Sequence, residues 1–221
     1  MSPIDVASVL DFWFLPRTDS AFGRPRDAWF RKDDAFDASI RARFGSLLDA
    51  AAGRTLLPSP AAGAGRDAPP NEPLSDTDAI RADLARVIVC DQFSRNAWRD
   101  SARAFSLDSQ ALVHAGALLG GDRHLRLDLL ERWFAYMPLE HAEDRALQAA
   151  NVALFERLHD DARAAGAPAQ VVDAVAGALD YARRHRDVVE RFGRFPHRNA
   201  LLGRADTDDE RVFLTQPGSR F

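Results

Sequence analysis

Several charged and imidazole side chains fall where helical periodicity calls for apolar ones. In Tyr136-Met137-Pro138-Leu139-Glu140-His141-Ala142-Glu143, Met137-Pro138 reads as a stop, and a new helix is expected from about Leu139 to His159. Its inward positions are Leu147, Leu154, Phe155 and Leu158. Running that stripe backwards reaches Glu143 and Glu140, so both carboxyls are expected to point inward from a helix start, where the dipole favours acids. Carboxyls beside a histidine are the residue types of general acid–base chemistry. Glu140 and His141 are adjacent rather than three apart, so by themselves they do not make a helical metal-ligand pair.

A second such place follows Ile80, Leu84, Val87 and Ile88, where the next position of the stripe is Asp91, with Arg95 four residues on. A carboxylate on a core face needs a partner, and Arg95 is within reach on the same face. Asp108 sits between Phe105 and Leu112 in the same manner. Further along, the stripe Val175, Ala178, Leu179 and Ala182 leads to His185. Residues 183–204 then hold seven arginines (183, 184, 186, 191, 194, 198, 204) against two acids, Asp187 and Glu190. Phe192, Gly193, Phe195, Pro196 and Gly203 are interleaved with them, which points to an ordered loop rather than a basic tail. Arginines in such a loop bind carboxylate or phosphate through paired N–H groups. Pairing with Asp91, Glu140 and Glu143 as an internal network is the competing reading.

The elements that must position these groups are helical. The chain has 221 residues, 46% of them hydrophobic and 28% charged, which is a globular composition. Ser2-Pro3 reads as the start of a first helix carrying Val6, Val9, Leu10 and Trp13 inward. Phe36, Ile40, Phe44, Leu47, Leu48 and Ala51 mark a second, closed by Gly53. The third begins near Asp76 or Thr77, either of which can serve as its N-cap. A fourth is expected over 101–119, with Phe105, Leu112, Gly116 and Leu119 on one face, then a Gly120-Gly121 turn with Asp122 as the next cap. Pro168 opens the helix that holds His185, and Thr207-Asp208-Asp209-Glu210 is a capping box for the last. No alternating strand pattern is present. The expected architecture is a single all-α domain over 1–221, built of antiparallel helical hairpins. Residues 53–75, with five of the twelve prolines, form a loop or disordered insertion.

Composition excludes several functions. The net charge of -4 argues against a general nucleic-acid binder. One cysteine, Cys90, permits no internal disulfide and no cysteine-built zinc site, and a buried inert thiol is the expectation for it. No apolar run approaches the ~18 residues of a membrane span, and the N-terminus lacks the basic start of a secretory signal, so a cytoplasmic protein is expected. No phosphate-loop, dinucleotide or serine-hydrolase motif occurs. Arginine dominates the basic residues: of 29, only Lys32 is lysine. The bias is not confined to one segment, since arginines also occupy ordinary surface positions such as Arg41 and Arg163.

Five segments in order resemble the bacterial family of unknown function DUF924: Val9–Phe14; Trp29-Phe30; Asp91-Gln92-Phe93-Ser94-Arg95-Asn96; Tyr136–His141; and Arg191–Asn199 with Gly203-Arg204. The resemblance covers nearly the whole chain and implies a tetratricopeptide-like α-α superhelix. It implies Pro where this chain has Ser94, an apolar residue at the Cys90 position, and a shorter segment before the third helix. No activity comes with it. It does mark the segments holding the misplaced polar groups as signature segments, which favours one shared site.

The expected site follows. Glu140, His141 and His197 would do acid–base work. Asp91, Arg95, Asn96, Glu143, His185, Arg191, Arg194, Arg198, Asn199 and Arg204 would line a cleft for a small anionic molecule, a carboxylate or a phosphate. Hydrolysis or proton transfer without an organic cofactor or metal is the natural chemistry. A superhelical module that takes an acidic peptide, and a purely structural ion-pair network, are the alternatives.

Overall fold

The first helix, α1 (Val6–Phe14), starts after Asp5, whose carboxylate accepts from the Ser8 N–H at 3.1 Å. In the computed structural model, residues 5–53 and 75–219 are described. The start expected at Ser2-Pro3 therefore lies outside the described residues, as does the 53–75 insertion apart from Gly53 and Ser75. Asp33 caps α2 (Asp34–Ala52), and Gly53 closes it through its N–H on the Asp49 carbonyl. Val9, Leu10 and Trp13 of α1 and Ile40, Phe44, Leu48 and Ala51 of α2 are buried, as their spacing requires.

Ser75, one residue before the expected positions, caps α3 (Asp76–Val87). Beyond Val87 the backbone widens into a π-helical segment, Ile88–Phe93, before resuming as α4 (Ser94–Ala97). An extra residue per turn breaks the ordinary carbonyl ladder, and side chains take over. The Ser94 hydroxyl donates to the Cys90 carbonyl at 2.7 Å, and Arg95 Nη1 donates to the Asp91 carbonyl at 2.9 Å. Every residue from Ile88 to Ser94 is buried.

The helix expected over 101–119 begins later, as α5 (Asp108–Leu119), and is rotated. Ala111, His114, Ala115 and Leu118 face the core, while Leu112 and Leu119 are half-buried and Gly116 is exposed. The turn after it does use left-handed residues, Gly121 (φ 63°) and Asp122 (φ 58°), but Asp128 rather than Asp122 precedes the next helix.

That helix, α6 (Leu129–Glu140), runs through Pro138 instead of stopping at it. A proline in the last turn costs one backbone hydrogen bond, and the buried faces of Phe134, Tyr136 and Leu139 outweigh that loss. The next helix, α7 (Arg145–Ala164), starts six residues later than expected, behind Asp144, whose carboxylate accepts from the Leu147 N–H at 2.9 Å. The consequence for the acids is direct. Glu140 stands at a helix C-terminus and Glu143 in the link 141–144. Neither is at a helix start.

Helix α8 (Ala169–Phe192) buries Val171, Val175, Ala178, Leu179, Ala182, His185 and Val189, and ends on Gly193 in the left-handed region (φ 71°). Thr207 and Glu210 form the expected capping box of α9 (Asp208–Leu214). Consecutive helices α6, α7 and α8 pack on one another through the short links 141–144 and 165–168. The protein is all-α: the described residues are helical and contain no strand. None of the described helices is long and apolar enough to cross a membrane.

Candidate functional site

The π-helical segment delivers Asp91, fully buried, against the end of α6. Its Oδ1 accepts from His141 Nδ1 at 2.7 Å and lies 3.2 Å from Arg95 Nη1, and its Oδ2 accepts from the Gln92 amide. Burial pushes the Asp91 carboxyl up, but His141 and Arg95 overcome it and hold it at about 2. An ionised Asp91 can only accept, so His141 carries its proton on Nδ1. Burial, followed by the charge of Arg95, lowers the His141 pKa below the usual imidazole value. At neutral pH the ring is uncharged, with a lone pair on Nε2 that makes no hydrogen bond among the described residues. A buried carboxylate that fixes a histidine tautomer is the geometry of an oriented base.

Glu140, adjacent in sequence, has the opposite environment. It is 5% exposed and sits at the negative end of α6. Asn151 Nδ2 approaches Oε2 at 3.4 Å, and His185 Nδ1 lies 3.5 Å from Oε1. That imidazole proton is already given to the Tyr181 carbonyl at 2.9 Å. Burial therefore dominates and pushes the Glu140 carboxyl up to about 8, while burial takes His185 down to about 3. The two are a neutral contact at pH 7, not an ion pair.

Arg95 and Arg198 meet on Asp108. Arg95 grips it with both ends of its fork, at 2.9 and 3.1 Å. Arg198 reaches it only through Nη1 at 3.4 Å, and its Nε has no hydrogen-bond partner. Arg198 is 6% exposed, and its guanidinium lies against two rings, with Cζ 4.7 Å from the Phe105 centroid and 4.5 Å from that of Phe195. Burial, then the like charge of Arg95, lowers it to about 10. His185 packs edge-on against the same Phe195, with ring centroids 5.4 Å apart, and against His141 at 6.3 Å, and the His197 ring lies tilted 5.7 Å from that of Phe195.

Asp91, Arg95, Glu140, His141, His185, His197 and Arg198 are thus linked by contact. Glu143 and Arg204 flank them: Glu143 accepts from the Phe195 N–H at 2.8 Å and from both ends of Arg204 at 2.6 and 2.8 Å. Four expected members stand elsewhere. Asn96 donates to Asp37 of α2 at 2.8 Å. Arg194 is clamped on Glu210 at 2.7 Å by two bonds, and Asn199 donates to Asp206 and Glu210. Arg191 is exposed and lies over Phe192 and Phe213. The arginine surplus is largely neutralised from outside the segment, because Glu156, Glu210 and Glu143 pair with Arg183, Arg194 and Arg204.

Glu143 fixes the loop to the α6–α7 link. Glu143→Ala removes the partner of Arg204 and the acceptor of Phe195 N–H together, and is expected to cost about 2–4 kcal/mol in urea denaturation. Limited proteolysis between 193 and 204 should accelerate with it, and unchanged cleavage would contradict the assignment.

Three contributors were not expected: Gln92, Gln148 and Asn151. Both α7 amides are fully buried, and Gln148 Nε2 donates to the carbonyls of Glu140 (2.6 Å), Ala142 (2.8 Å) and Leu139 (3.3 Å), tying off the end of α6. Extending Phe155, Leu158 and Ala162 backwards by threes and fours gives 151 and 148, so the signal was present in the sequence. Cys90 is buried and its thiol is pushed up to about 12, first by burial and then by Asp91, which removes its nucleophilicity. Among the described residues no group of three or more His, Cys, Asp or Glu side chains is arranged to hold a metal ion.

Two comparisons with known proteins agree on kinship, and a third finds nothing. A search of curated proteins returns no match. A solved structure of a protein of unknown function from Agrobacterium tumefaciens is similar, with a TM-score of 0.63 at 32% identity, covering 95% of this chain and 96% of that one. A family model described as bacterial protein of unknown function (DUF924) matches residues 9–218, and the chain belongs to that family.

Proposed function

We propose that this cluster binds a small molecule bearing a carboxylate or phosphate, and performs acid–base chemistry on it. The observation that carries the reading is Arg198: a buried guanidinium with one long carboxylate contact and an unpartnered Nε, beside an Asp-oriented histidine. An anion laid on Arg198 supplies the charge and the acceptors that Asp108 supplies only weakly. His141 Nε2 then takes a proton from the ligand or from a water, and the Asp91 carboxylate stabilises the imidazolium that forms. Glu140 retains a proton at neutral pH and is the complementary donor. Two titratable groups driven in opposite directions are the usual mark of such a pair. Hydrolysis and proton transfer both fit this division of labour.

A small ligand in the cytoplasm is preferred over an acidic peptide on a tetratricopeptide-like groove. An extended acidic peptide needs a row of available arginines, and Arg183, Arg194 and Arg204 are each engaged by a carboxylate of the chain itself.

Arg198→Met is the test. Asp108 keeps Arg95, and the thioether fits against Phe105 and Phe195, so stability is expected to change by no more than about 1–2 kcal/mol. Affinity for methylphosphonate and for acetate, by titration calorimetry, should fall about 10- to 100-fold, the weight of a charge-assisted hydrogen bond or two. Equal affinity in the folded variant would refute the reading.

A further inference from the structure

Glu140 differs from the other buried carboxyls among the described residues. Asp37 has Arg99, Asp83 has Arg86 and Arg123, Asp91 has Arg95, Glu131 has Arg17 and Arg81, and Glu210 has Arg194. No arginine or lysine among the described residues reaches Glu140, although the segment that packs beside it is the most arginine-rich of the chain. Two amides of α7 add to this: Asn151 Nδ2 lies 3.4 Å from the Glu140 carboxyl, and Gln148 Nε2 donates to the Glu140 backbone carbonyl. Gln148 Oε1 and Asn151 Oδ1 are both buried and without a hydrogen-bond partner. Gln148 cannot be turned over, because its nitrogen is held by three carbonyls. Turning over Asn151 would let it accept the Glu140 proton, but would leave Gln148 Oε1 unmet. This end of the cluster is thus rich in acceptors and short of a cation, while the Arg198 end has a spare donor and is short of an anion. His185 joins the two ends, touching Glu140 on one side and Phe195 on the other.

We propose that the ligand carries a primary amine as well as its anionic group, with the amine seated on Glu140 among Asn151 and Gln148 and the anion on Arg198, so that the class is an aminocarboxylate or aminophosphonate. This inference rests on the anion reading above. The proton balance is simple. A neutral amine takes the Glu140 proton and becomes the ammonium partner of the carboxylate, and an ammonium displaces that proton to solvent. Both routes end in the same pair. The groups that face Glu140 are Asn151 and Gln148 from α7, His185 from α8, and Asp91 from the π-helical segment, with His141 next to it in the chain. Of these, Asp91 is the charged one at neutral pH, and its negative charge favours an ammonium.

The experiment is calorimetric titration of the full chain with matched pairs at pH 7: glycine and acetate, β-alanine and propionate, 4-aminobutyrate and butyrate, aminomethylphosphonate and methylphosphonate. In at least one pair the amine form is expected to bind about 10-fold tighter or more, the weight of one charge-assisted contact. Repeating that titration in two buffers of different ionisation heat should show release of close to one proton per amine bound. Glu140→Gln should bring the two members of the pair to equal affinity. If the plain acids bind and the amines add nothing in any pair, the amine seat is wrong and the anion reading stands. If neither member of any pair binds, the anion reading fails and the amine seat fails with it.

Discussion

Glu140→Gln is expected to stabilise the protein above pH 8, by up to about 5 kcal/mol. The folded carboxyl titrates at about 8 and the unfolded one at its ordinary 4.5. Each unit of difference is worth about 1.4 kcal/mol. Below pH 4.5 both states hold the proton, and Glu140 costs nothing. Between 4.5 and 8 the unfolded chain releases it and the folded chain does not, so stability falls as pH rises. Above 8 the folded protein carries a bare buried carboxylate and the full penalty is in place. A glutamine has no proton to lose, and its amide oxygen can keep accepting from Asn151 Nδ2 as the carboxyl does. Urea denaturation of both proteins from pH 5 to 9 reads this directly. The wild-type curve should slope down and the variant's should be flatter. A structural ion-pair staple predicts the reverse sign, a loss of about 3–5 kcal/mol in the variant at pH 7.

Asp91→Asn is expected to lose about 3–5 kcal/mol at pH 7, the usual cost of removing one partner from a buried charge network. Arg95 and Arg198 would then face only Asp108, leaving a buried excess of positive charge. The pH dependence runs opposite to that of Glu140. The folded Asp91 carboxyl is held near 2, below its unfolded 3.8, so its contribution is present above pH 3.8 and is lost as pH falls through 2. The histidine is affected as well. With an amide at position 91 able to donate or accept, the Nδ1–H tautomer of His141 is no longer enforced. Nitrogen NMR of the imidazoles should show one fixed neutral tautomer in the wild type and a mixture in the folded variant. A single unchanged tautomer, with stability within about 1 kcal/mol of wild type, would mean that Asp91 neither holds the fold nor orients the ring.

The helices that carry this chemistry are legible in the sequence to unequal degrees. Along α8 the spacing from Val171 to Ala182 is regular, so periodicity alone puts His185 on the core face. Around Glu140 the same logic misplaces the helix boundary. Proline breaks helix interiors, which makes Pro138 look like a stop, yet in a last turn its cost is small beside the burial it accompanies. The stripe drawn through Leu147 and Leu154 follows half-buried residues and passes over Gln148 and Asn151, the fully buried ones. Amides on a core face carry no charge to attract attention. The π-helical turn at Ile88–Phe93 leaves no periodicity of its own, since its buried run is too short to distinguish from a fully buried helix. The basic segment at 183–204 is visible as composition, but its neutralisation is not. Glu143 and Arg204 are 61 positions apart, and Asp108 and Arg198 are 90 apart, so only the fold brings them together.

The most direct test of the site is the histidine ring NMR spectrum of the full chain at pH 7 as methylphosphonate is added. The Asp91–His141 pair and Arg198 together predict a saturable shift of the His141 Nε2 resonance, from a neutral ring whose Nδ1 proton stays in place, and loss of that shift in Arg198→Met. A His141 resonance that does not move up to tens of millimolar ligand, or that moves equally in Arg198→Met, would contradict the account.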